Sequence, residues 1–405
     1  MNKADSILSK KITRRSFLKG LGASAAAASL APGFLSSCAR QTNELSIGYI
    51  PITDAAPLLA AHGLGYFQEE GLNVKEPVLI RSWSGLVEAF LSGKVNVTHL
   101  LLPIPIWMRY RNNAPVKVVA WDHTNGSALT VSGQSGISSF ADLGGKLIAV
   151  PYWYSMHNVI LQLGLKRFGL TPTIRKDGAL IKPNEVNLVI LPPPEMPSAL
   201  AAGKIDGYIV AEPFNAIGEL KTGAKILRFT GDIWKNHPCC VVVMGEQVIN
   251  RDPVFTQKVV NSIVRAQQWL LTHRHEAPKL LGSEGKGYLP VDTEVLTRVF
   301  SGYELSVYGA PNVPTAIQHP DWHLERIGFQ PYPYPSATRF IYDRLAETLV
   351  EGDNGFLRKQ TGDFVSTDLM DERFVRKAII DHGGPSMFDL IDPASPWDRE
   401  EVIEV

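Results

Sequence analysis

Two stretches of this chain repeat one phrase, and that phrase restricts the fold more than any other feature. Ala89-Phe90-Leu91-Ser92-Gly93-Lys94-Val95-Asn96 runs on to Pro103, and Ala199-Leu200-Ala201-Ala202-Gly203-Lys204-Ile205-Asp206 runs on to Pro213. In each, a helical pattern stops at glycine, an apolar strand follows, and proline ends the strand. Elsewhere the same rhythm recurs. Leu45–Ile50 alternates as a strand, and Thr53 and Asp54 offer caps for a helix beginning near Ala55. A helix is expected over about 84–92, another from Met156 to Phe168, and another from Met196 to Ala202. Strands are expected over 95–102 and 186–191, with a turn feeding a strand within 140–150 and a polar loop at 174–184. This is an α/β chain with largely parallel sheets. The repeat, a phrase common among βα units, supports two similar lobes. Ligands of open α/β folds gather at the carboxyl ends of the strands, which here are the proline-bounded ends.

Asp252-Pro253 is an N-cap and first-turn pair for a helix to about Thr272, with Phe255, Val259, Ile263 and Leu270 on its core face. Chain crossings between lobes are expected near 122–128 and 232–240. The Pro-rich stretch at 330–335 leads into a helical C-terminal region expected to wrap on the first lobe. The lobes are therefore 45–125 with 240–405, and 126–239.

The first 37 residues belong to a different category. Thr13-Arg14-Arg15-Ser16-Phe17-Leu18-Lys19 has the order of a twin-arginine export signal, with Arg14 and Arg15 as its defining pair. The run from Leu21 to Leu35 is too short and too weakly apolar for a spanning helix. Ser36-Ser37-Cys38 resembles a lipobox, which makes Cys38 the acylated first residue of the mature chain, 38–44 a spacer, and the protein lipid-anchored on the extracytoplasmic face of the membrane. A net charge of zero gives no reason to expect a nucleic-acid partner. Beyond Cys38 only Cys239 and Cys240 remain, and adjacent cysteines cannot staple distant segments. None of the Gly-Lys pairs is followed by serine or threonine, and no nucleophile elbow or zinc-protease motif occurs. An enzyme is not expected.

Several motifs, taken in order, resemble one family. Gly48-Tyr49-Ile50-Pro51-Ile52-Thr53-Asp54-Ala55-Ala56-Pro57, Arg81-Ser82-Trp83-Ser84, His99–Pro105, Asn125-Gly126, Glu212-Pro213-Phe214-Asn215 and Trp234-Lys235-Asn236-His237-Pro238 are similar to periplasmic nitrate- and bicarbonate-binding proteins. These belong to the wider nitrate/sulfonate/taurine group of solute-binding proteins for ABC importers. The resemblance implies a type II-like periplasmic-binding-protein fold, two lobes on a hinge, a solute in the cleft, and a permease with a cytoplasmic ATPase as partners. A monomer without cofactor is expected. It also implies ligand positions: Trp83 as the pocket tryptophan and His157 as the pocket histidine. Ser127 stands where nitrate binders carry glutamine, Ala211 replaces a glycine, and Cys240 stands where they carry a lysine. The solute expected is a small polar one of the nitrate, bicarbonate, cyanate or sulfonate type. The alternatives are a small amine- or pyrimidine-like solute, and a metal-dependent or redox-sensing role.

Residue chemistry fills in the site. Trp83 offers a flat wall, His157 a donor near a helix N-terminus, and Glu195 and Glu212 carboxylates beside the cleft. His237, Cys239 and Cys240, with His157 and Glu195 facing them, form a set with metal-ligand chemistry. Neighbouring strand residues point to opposite faces, so one cysteine is expected to enter the core, and no metal site is expected.

Overall fold

The computed structural model describes residues 44–405 except 177, 323, 324, 389–391 and 393. Arg14, Arg15 and Cys38 lie outside the described residues. Two mixed sheets carry the architecture. The first is ordered β2-β1-β3-β12-β4, from β1 (Ile47–Tyr49), β2 (Val78–Leu79), β3 (Val97–Leu101), β4 (Val116–Trp121) and β12 (Cys240–Gly245). The second is ordered β11-β6-β10-β7-β9-β8, from β6 (Ser127–Ser132), β7 (Leu147–Val150), β8 (Thr171–Thr173), β9 (Glu185–Ile190), β10 (Gly207–Ala211) and β11 (Ala224–Phe229). A short ribbon joins β5 (Thr124–Asn125) to β13 (Ile327–Gly328). The fold is two-lobed α/β.

The sheets are less parallel than the βα rhythm suggests. β12 runs antiparallel to both β3 and β4, and β6 antiparallel to both β10 and β11. The cause is connectivity: each of these strands enters its sheet directly from the other one, across 122–126 or 230–239, rather than through a crossover helix. The consequence matters for function. The first residues of β6 and β12 lie beside the last residues of β10 and β3, with Ser127 opposite Ala211 and Cys240 opposite Leu101.

The repeated phrase has a common backbone solution. Gly93 and Gly203 take φ of 76° and 65°, the left-handed conformation that ends a helix at low cost only for glycine. The chain then turns into β3 and β10, and helices Pro103–Tyr110 and Phe214–Thr222 follow. Helix Pro253–Thr272 begins where Asp252 accepts a hydrogen bond from Phe255 N, and it buries Phe255, Val259, Ile263 and Leu270.

Three local expectations are corrected. Thr53 and Asp54 do not cap the following helix: Thr53 N and Oγ1 both donate to the Glu212 carbonyl at 3.0 Å, and Asp54 turns to His123. Trp83 opens helix Trp83–Leu91 instead of standing just before it, because Ser82 caps that helix by accepting from Gly85 N. The C-terminal region reaches both sheets. Leu369 O accepts from Val118 N on the first side, while Leu349 O accepts from Asn158 and Gln162 on the second.

Candidate functional site

Where the ends of the two sheets meet, Asp54 forms the centre of a buried polar cluster. His123 Nε2 lies 2.9 Å from Asp54 Oδ2, with both side chains 0% exposed. The thiols of Cys240 and Cys239 point at the same oxygen from 3.2 and 3.6 Å. Ser127 Oγ lies 4.0 Å from Cys239 Sγ and 2.9 Å from His157 Nε2, which brings in the second sheet. On the other flank, His99 Nε2 accepts from Ile50 N at 3.0 Å, and the His99 ring stands edge-on to Trp83 at 5.7 Å.

Topology explains this convergence. His99 is an interior residue of β3, Ser127 starts β6 and Cys240 starts β12, while His123 sits in the first crossing. The two thiols share one side because Cys239 precedes β12, after Pro238, so strict strand alternation does not govern it. The expectation that adjacent cysteines diverge is therefore corrected.

Electrostatics in this enclosure follow from burial. Burial drives His99 and His157 down to about 4, so both are neutral at pH 7. For His99 the accepted Ile50 N–H places the proton on Nδ1. Burial works against protonated His123 as well, but Asp54 and the Cys239 thiol outweigh it and hold that imidazole well above its ordinary value. Burial raises the Asp54 carboxyl, yet His123, with His99 and His157 beyond it, pulls it below the usual range. For Asp122, burial outweighs the pull of His123 and pushes the carboxyl well up.

Several buried polar atoms here have no partner among the described residues: Trp83 Nε1, His99 Nδ1, His157 Nδ1, His123 Nδ1, Asp54 Oδ1 and both carboxylate oxygens of Asp122. Buried polar groups are nearly always hydrogen-bonded, so these exceptions call for an explanation.

Of the residues singled out by sequence, Trp83, Ser127, His157, Ala211 and Cys240 are buried at or beside this junction. Glu212 is buried next to it, but its side chain faces away: Oε1 accepts from Arg326 at 2.8 Å and Oε2 from Ala216 N at 3.0 Å. Glu195 is exposed at the start of helix Met196–Ala201 and takes no part in the cluster. His237 lies behind the cluster and contributes no group to it: its Nε2 is 2.8 Å from Thr230 Oγ1, which donates to Ser127 O. Sequence reasoning left Asp54, His99 and His123 out of the site, and Cys239 entered it only as part of the metal-ligand set. The signal of the first three was polar residues within or just after apolar strand runs.

This two-lobed fold, with its buried donors gathered at the strand ends, defines a periplasmic-binding-protein architecture. The sequence pattern of the NMT1-like family matches residues 39–281, and the chain belongs to that family. A twin-arginine translocation pathway signal sequence matches residues 11–31, which addresses the chain out of the cytoplasm. The chain is 30% identical over 313 residues to the nitrate import ATP-binding protein NrtC of Synechocystis sp., covering 75% of this chain and 45% of the relative. It is 27% identical over 303 residues to the nitrate/nitrite binding protein NrtA of Nostoc sp., covering 64% of this chain and 66% of the relative. The chain thus spans less than two thirds of the length of these relatives. The crystal structure of the periplasmic nitrate-binding protein NrtA from Synechocystis PCC 6803 superposes with a TM-score of 0.69 at 17% identity, over 89% of this chain and 92% of that one.

Proposed function

We propose that this protein is the solute-capturing component of an importer driven by a cytoplasmic ATPase, and that it delivers a small polar solute to a membrane permease. Its lobes are 45–125 with 240–405, and 126–239, and Cys38 carries the lipid that tethers it. It acts as a monomer and changes nothing in the solute. The observation that carries this reading is the set of unpartnered buried donors, Trp83 Nε1, His99 Nδ1 and His157, which approach one junction from both sheets together with Ser127. Donors without acceptors suit a small solute rich in acceptor oxygens. The nitrate names of the relatives point the same way, toward a small anion of the nitrate, bicarbonate, cyanate or sulfonate class.

A second reading rests on the opposite chemistry. Asp54 Oδ1 and the Asp122 carboxylate are buried acceptors without partners, which suits an amine- or pyrimidine-like solute. Isothermal calorimetry against nitrate, bicarbonate, cyanate, methanesulfonate, methylamine and an aminopyrimidine separates the two. Saturable binding of an anion supports the first reading, binding of only a nitrogen base supports the second, and no binding of any solute sinks both.

A further inference from the structure

Asp54, His123, Cys239 and Cys240 offer one carboxylate oxygen, one ring nitrogen and two sulfurs that all lie within 4.8 Å of one another, every one of them buried. We infer that these four side chains form a binding site for a zinc ion, set into the floor of the solute cleft. The location rests on the reading of that junction as a cleft, but the donor set stands on its own geometry.

The argument begins with spacing. Four ligands in a tetrahedron around zinc, at bond lengths of about 2.0–2.3 Å, sit about 3.3–3.8 Å apart. The contacts observed around Asp54 Oδ2, 2.9 Å to His123 and 3.2 and 3.6 Å to the two sulfurs, fall close to this range. Ordinary packing does not gather four coordinating groups in a protein interior. A core that merely needed filling would hold apolar side chains, and a pair of buried carboxylates would bring a lysine or arginine with it.

A second, independent observation is the lack of partners: Asp54 Oδ1 and both oxygens of the fully buried Asp122 carboxyl beside the cluster have none among the described residues. A cation held at the cluster gives such acceptors a partner. The donor set also selects the ion. Two sulfurs exclude magnesium and calcium, while the carboxylate oxygen suits zinc better than copper(I), which prefers sulfur and imidazole alone. Four protein ligands fill a zinc coordination sphere, so the site is a closed one that stiffens the junction of the lobes.

The export route fits this assignment. An exported compartment is oxidising, and two adjacent thiols gathered at one carboxylate are exposed to oxidation there unless they are occupied or enclosed. Twin-arginine export moves chains already folded, so the ion can be taken up and the thiols enclosed beforehand.

The test uses the exported, purified protein. Elemental analysis is expected to find close to one zinc per chain. Chelator-stripped protein, kept reduced, is expected to rise in melting temperature with zinc but not with magnesium, and to show a thiolate-to-cobalt charge-transfer band when titrated with cobalt(II). Cys239→Ser and Cys240→Ser should each remove the band and weaken zinc binding about tenfold or more. Should either variant fail to fold, the wild-type melting shift and cobalt spectrum still decide. Protein that is isolated without zinc and shows neither shift nor band overturns the assignment, as does a band surviving in both serine variants or retention of copper in place of zinc. Trp83→Phe separates this from the cleft reading. Lower solute affinity with zinc retained supports both, whereas unchanged solute affinity with zinc retained leaves the metal site standing and removes the cleft.

Discussion

Arg326 Nη1 donates to Glu212 Oε1 at 2.8 Å, and both side chains are 1% exposed. The pair is fastened further by Arg326 Nη2 to Glu219 Oε2 at 2.7 Å. The backbone around Glu212 is shared by both sheets, since its carbonyl accepts from Thr53 and its N–H donates to Gly126 O at 2.9 Å. A guanidinium anchored in the C-terminal third thus fixes the strand end against which the Asp54 loop rests.

Removing that guanidinium leaves a carboxylate buried without a counter-charge. Arg326→Ala is expected to cost about 3–5 kcal/mol of folding stability, measured by urea denaturation. A loss under 1 kcal/mol would show that Glu212 finds another partner or protonates without penalty.

Trp83 is 2% exposed and packs on His99, so its loss is a core loss. Trp83→Ala should destabilise the fold by about 3–5 kcal/mol. Trp83→Phe keeps most of the packing but removes the unpartnered Nε1 donor. It should lower solute affinity about three- to tenfold by calorimetry, with a stability change below about 1.5 kcal/mol. Unchanged affinity would remove Trp83 from the solute site.

His157 gives a pH signature. Burial sets its folded value at about 4 against an ordinary 6.5, so between those values the unfolded chain binds the proton and the folded one does not. Stability is therefore fully present above pH 6.5 and falls as pH drops toward 4. His157→Gln should shrink the loss between pH 7 and pH 4, relative to wild type, by up to about 3 kcal/mol. Comparing the two proteins removes the contributions of His99, which has the same sign, and of Asp122 and Glu212, whose raised carboxyls act with the opposite sign. Parallel curves for variant and wild type would mean that His157 titrates normally.

The address is testable separately. Arg14→Lys with Arg15→Lys should abolish export in a fractionation assay, and Cys38→Ala should release exported protein from membranes without changing solute affinity. Membrane retention of the Cys38→Ala protein would rule out the lipid anchor.

The sequence by itself determined what is local. Gly93 and Gly203 end helices because only glycine takes the left-handed conformation cheaply, and Asp252-Pro253 starts a helix because cap and first turn are set within four residues. Membership in a two-lobed α/β family was legible for the same reason, through motifs that are each a few residues long. The burial of Trp83 in the core was not legible, because its motif presents it as a pocket wall.

Tertiary structure decided which side chains meet. Asp54 has the local character of a cap, yet it is drawn 69 positions along the chain to His123, because a buried carboxylate gains more from an imidazole than from helix N–H groups that have other partners. Cys239 and Cys240 share a side because the chain enters β12 only at the second of them. Glu195 stays in water, and Glu212 belongs to Arg326, a residue 114 positions away. Long-range pairings of this kind depend on the exchange of β6 and β12 between sheets, and no short window of sequence carries the direction from which a strand arrives.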